Sequence, residues 1–154
     1  MRKRWLWVGL LALGVFAINA IGRLVTWRAD LATESEQLPV GIIGFTAIAL
    51  VFAVLAALWA VRYPFPRLFG DLAAAAGLGA LLSVLVGPFA GGSTPFAEGL
   101  GNVVGQILMF LGVSAFGAFL GFSVVVALGK DWKSQGLRRY EQRYKTKPHR
   151  PVRG

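Results

Sequence analysis

Four stretches of this chain contain no Asp, Glu, Lys, Arg or His: Trp5 to Gly22, Pro39 to Val61, Leu72 to Ala97 and Gly99 to Gly129. No other feature restricts its fold so strongly. A hydrocarbon core about 30 Å thick is crossed by roughly 20 helical residues, so each of the first three stretches supplies one span and the fourth supplies one with length to spare. Runs such as "FTAIALVFAVLAALWAV" do not alternate between polar and apolar residues. That excludes the wall of a β-barrel, whose strands are alternating segments of roughly 10 residues. The expected fold class is an all-α membrane protein, a four-transmembrane-helix bundle with spans at about 5–23, 40–61, 72–89 and 100–129. Residues 1–129 then form the transmembrane domain, and 130–154 form a basic tail containing a short amphipathic segment.

The chain is 56% hydrophobic and carries a formal charge of +9, so its charges must gather outside the spans. Three basic residues precede the first span (Arg2, Lys3, Arg4), two follow it (Arg23, Arg28), two lie in the second connection (Arg62, Arg67), and nine lie between Lys130 and Arg153. Placing both termini in the cytoplasm puts fourteen of these inside and two outside. Basic residues near helix ends set orientation, so this is the expected topology, with the protein in a cell membrane of bacterial type. The outer connections then hold Asp30, Glu34, Glu36 and Glu98. Tryptophan favours headgroup depth, and Trp5, Trp7, Trp27, Trp59 and Trp132 all lie near the expected boundaries.

Helix punctuation follows the same divisions. Pro39 is expected to open the second helix, Tyr63-Pro64-Phe65-Pro66 to stop it, Asp71 to cap the third and Pro88 to end it. The stretch "DLATESEQ" in the first connection is expected to form a short surface helix. "MRKRWLWVGLLALGVFAINA" has the basic start and apolar run of a signal peptide. The third residue before a cut after Ala20 is Ile18, where a small residue is favoured, so retention of Met1 to Ala20 as an anchor is expected.

Small residues recur every fourth position within the spans. The fourth has Gly101 and Gly105, then Gly117 and Gly121; the third has Ala75, Gly79, Ser83 and Gly87; the second has Ala49, Ala53 and Ala57. Leucine gains little by leaving lipid for another leucine, so membrane helices associate through close backbone approach and interhelical hydrogen bonds. These stripes are read as packing faces, within one chain or between copies of it.

Asn19 and Gln106 are the polar pair of most interest, both placed in the outer half of their spans. Two readings stay open: the amides join helix one to helix four, or they line an outward-facing pocket closed by Glu98 and the connection "GPFAGGSTPFAEG". In the tail, Leu137, Tyr140 and Tyr144 share one helical face with Arg138, Arg139, Arg143 and Lys145 around it, which suits contact with anionic lipid headgroups or strengthens the inside signal alone. Nothing calls for nucleic acid as a partner.

Catalytic chemistry lacks its parts in this reading. There is no cysteine, the single His149 lies in the tail, and Ser83, Ser114 and Ser123 have no base within the spans, so no catalytic residue, metal site or cofactor is expected. "GPFAGGST" has the spacing of a phosphate-binding loop, but Ser93 stands where lysine belongs. The expected function is non-enzymatic: an accessory, scaffolding or assembly subunit of a membrane complex, with a small oligomeric transporter or channel as the alternative.

Overall fold

The computed structural model describes residues 2–31, 33–97 and 99–145. Among them there is no strand, and four helices are long and apolar enough to cross a membrane. The elements are α1 (Arg2–Arg28), α2 (Glu34–Arg62), α3 (Phe65–Leu85), a short α4 (Gly87–Ala90), α5 (Leu100–Ala127) and α6 (Trp132–Lys145).

Several boundaries depart from the sequence expectation, each for a local reason. α1 runs past Arg23 to Arg28, because Arg23 finds partners within the fold. Residues 34–37 form the first turn of α2 rather than a separate surface helix, with the Glu36 carboxylate accepting the Thr33 backbone N–H at 3.2 Å. Pro39 therefore sits inside α2, in its second turn. Tyr63 and Pro64 are both extended and break the chain between Arg62 and Phe65, so Pro64 caps α3 and Pro66 occupies its first turn. Asp71 is not a cap: it lies well inside α3 and is buried. α3 ends at Leu85, short of Pro88, which falls in α4. α5 stops at a glycine turn: Gly129 has φ +59°, the Lys130 N–H donates to Val125 and the Gly129 N–H to Val126.

Packing follows two main seams, α2 with α5 and α1 with α3. On α1 the buried residues Val8, Leu11, Ala12 and Val15 form one helical stripe facing α3. On α2 the buried residues Ile48, Phe52, Ala56 and Ala60 recur every fourth position. A Cβ added to Gly117 would overlap the Ala49 carbonyl, and one added to Gly121 would overlap that of Ala53. Both residue numbers advance together, so α2 and α5 run in the same direction. Phe45 packs edge-on against Phe110, with ring centroids 5.8 Å apart, and Phe65 against Phe122 at 5.2 Å. α3 joins the two seams, its buried face running from Leu68 to Val84.

Candidate functional site

The polar residues of α1 that matter fall on one face. Asn19, Gly22, Arg23, Thr26 and Trp27 follow helical spacing, which carries them together toward α2, α5 and the turn after α3. Arg23 donates from Nε to Asn19 Oδ1 at 3.0 Å and from Nη2 to Gln106 Oε1 at 2.9 Å. The two amides singled out from sequence are therefore brought to one cluster, but a guanidinium stands between them. A span that ends at Arg23, as the charge pattern predicts, would leave this guanidinium outside the cluster. The signal lies in the spacing: Asn19 is one helical turn before Arg23, a separation that permits a side-chain bond as well as marking depth.

Gly87 makes room for the cluster. A Cβ there would stand 3.1 Å from Asn19 Oδ1 and 3.2 Å from Arg23 Nε, closer than those groups tolerate without moving. Around them opens a cleft of about 560 Å³, lined by Arg23, Trp27, Asp30, Gln37, Ser93 and Gln106 among others. Its rim is held by hydrogen bonds of its own: Gln37 Nε2 donates to the Leu31 carbonyl at 2.8 Å and Ser93 Oγ to the Pro88 carbonyl at 3.3 Å. Glu98, expected at the mouth of this pocket, lies outside the described residues. Asn102 is half-buried in the first turn of α5.

At the other end of α1, Arg4 forms an ion pair with Asp71. Its Nε donates to the two carboxylate oxygens at 2.7 and 3.0 Å, and its Nη2 donates to Oδ1 as well. Asp71 is 7% exposed, so a carboxylate sits inside the helix assembly where the sequence reading had placed none. The ion pair lies in the α1/α3 seam and joins residues 67 apart in sequence, beyond the reach of any local pattern.

The other site residues divide clearly. Gly117 and Gly121 meet backbone, and a Cβ on Gly79 would lie 3.2 Å from Val15 Cγ1. Gly101 and Gly105 are exposed, and among the described residues a Cβ at either meets no atom within 4 Å. Ser83 is fully buried and Ser114 nearly so, and neither hydroxyl has a hydrogen-bond partner among the described residues. Arg138, Arg139 and Arg143 are exposed on α6, though a nitrogen of Arg138 reaches back toward Gly129 at the end of α5. The side chain of Lys145 is outside the described set. Leu137, Tyr140 and Tyr144 are all exposed, and the two tyrosine rings lie 5.8 Å apart. Among the described residues no three His, Cys, Asp or Glu side chains gather in a way that suits a metal.

No protein-family model matches this chain, and neither does any curated protein or solved structure. The site supplies one guanidinium fixed by two amides beside a polar-lined cleft, and an ion pair at the opposite end of α1.

Proposed function

We propose that the chain is a four-transmembrane-helix bundle with both termini in the cytoplasm, seated in a plasma membrane of bacterial type and acting as a non-enzymatic accessory, scaffolding or assembly subunit. One observation carries the reading: five polar side chains of the long helices form two clusters that join one helix to another. Arg4 and Asp71 tie α1 to α3, while Arg23, Asn19 and Gln106 tie α1 to α5. Between these clusters lies an apolar core built from Val15, Ile48, Phe52, Ala75, Ala80 and Phe110. A transport pathway needs polar or ionisable groups along its length, and such a core favours a static role. The long helices also leave many large apolar side chains outward, which suits lipid or a neighbouring membrane subunit.

Two experiments test this. Reporter fusions at Glu36 and at Gly154 should report opposite compartments. Purified protein in liposomes should add no solute or ion flux over empty vesicles, whereas saturable flux from the chain alone would establish the transporter reading instead.

A further inference from the structure

A second concavity, of about 270 Å³, opens where the start of α1, the end of α2 and the start of α3 come together. Three arginines from three helices line it: Arg4, Arg62 and Arg67. Basic residues that serve only orientation project into water from connections. Here they converge on a hollow, and two of them are fixed. Arg4 is held by Asp71, and the Arg67 guanidinium carbon lies 4.3 Å from the centroid of the Tyr63 ring. Asp71 balances one of the three charges, leaving a local excess of two positive charges. The start of α3, a helix of 21 residues, adds the positive end of its dipole beside them.

The rest of the lining is apolar and aromatic: Trp7, Leu55, Leu58 and Trp59. Trp7 and Leu58 are more than half exposed on the outer surface of the helices, so the hollow continues into the face that meets lipid. Indole rings mark headgroup depth, and they flank the arginines here. A ligand that fits joins an anionic group of phosphate type to an apolar body. On these grounds, and resting on the membrane placement proposed above, we propose that the Arg4–Arg62–Arg67 hollow binds the phosphate of an anionic phospholipid from the leaflet on that side.

The test uses the full-length protein in a neutral detergent, titrated with phosphatidylglycerol and read by native mass spectrometry, with melting temperature recorded for every variant. Arg62→Gln and Arg67→Gln should each weaken the first bound lipid about fivefold, and the double variant about 25-fold. Replacing Arg138, Arg139 and Arg143 by glutamine should leave that first lipid unaffected, which separates the hollow from the tail. Inorganic phosphate and glycerol phosphate should not compete at millimolar concentration. Equal binding of these soluble anions would overturn the lipid as occupant, and unchanged lipid binding by the folded double variant would overturn the site. Flux in liposomes bears on the scaffold reading alone, so the two proposals fail by different measurements.

Discussion

Where α2 meets α5, glycine and alanine let two backbones touch and phenylalanine rings fill the flanks; where α1 meets α3, one glycine suffices and an ion pair, Arg4 with Asp71, holds one end of the seam. The difference reflects what lipid allows. A dry seam in hydrocarbon gains little from apolar burial, so it must bring atoms very close to gain dispersion, and only residues without a Cβ permit that. The α1/α3 seam is looser at its glycine, with Val15 Cγ1 3.2 Å from an added Cβ, and has the Arg4–Asp71 pair to hold it. One seam relies on shape and the other on bonds.

The largest effect should come from the dry seam. Gly117→Ala or Gly121→Ala forces a Cβ into a carbonyl of α2, and a backbone cannot step aside as a side-chain end can. Each should lower stability at or above the upper end of the roughly 1–3 kcal/mol typical of overpacking, read by thermal unfolding in mild detergent. Gly79→Ala should cost distinctly less, because Val15 needs to shift by only a few tenths of an ångström. Equal losses at all three positions would mean that the depth of the overlap does not set the cost, since helix propensity alone would make each alanine stabilising.

Next should come Asp71→Asn, which keeps the shape of the side chain and removes its charge. Arg4 then loses its ionic partner but is half-exposed and free to turn toward headgroups, so the fall in melting temperature should be smaller than for Gly117→Ala. Replacing both Arg4 and Asp71 by leucine should recover part of the loss, since no charge then remains without its partner. A double variant less stable than Asp71→Asn alone would show that the pair contributes more than it costs to bury.

The contrast also explains what could be read from the chain in advance. Four spans and their order are plain from charge-free runs, because hydration of ionised groups dominates everything else at membrane depth. The same criterion misplaces the ends. It stops helices at Arg23 and Asp71, whereas both residues lie within helices through bonds to residues far along the chain or on another helix. Nor does spacing distinguish Gly101 and Gly105 from Gly117 and Gly121, since a small-residue pair records that a close approach is permitted and not which face receives a partner. Asn19 and Gln106 are recognisable as an unusual pair; the guanidinium joining them is not, because a charged residue at a span's end reads as part of the connection.

A smaller effect is expected at that cluster, where bonds between helices in lipid are worth about 0.6 kcal/mol and at most roughly 2. Asn19→Leu and Gln106→Leu should each lower stability, and their combination should depart from additivity by about 0.5 kcal/mol or more, because both amides hold the same guanidinium. Repeating the cycle with Arg23→Leu should abolish that departure. Coupling that survives loss of Arg23 would mean that the amides meet directly.

The smallest effect of all should appear at Gly101 and Gly105, on the same helix and with the same spacing as the pair expected to matter most. Among the described residues neither would bring a Cβ within 4 Å of another atom, so alanine adds a methyl group to an open surface. Alanine also favours helix over glycine by up to about 1 kcal/mol, so Gly101→Ala and Gly105→Ala should leave the melting temperature unchanged or raise it slightly. Set against a loss at Gly117 or Gly121, that result would locate the effect of glycine in what it touches. A clear loss at Gly101 or Gly105 would require a contact made by another molecule, and a change in particle mass by light scattering, found in the variants and not in Gly117→Ala, would identify it as a second copy of this chain.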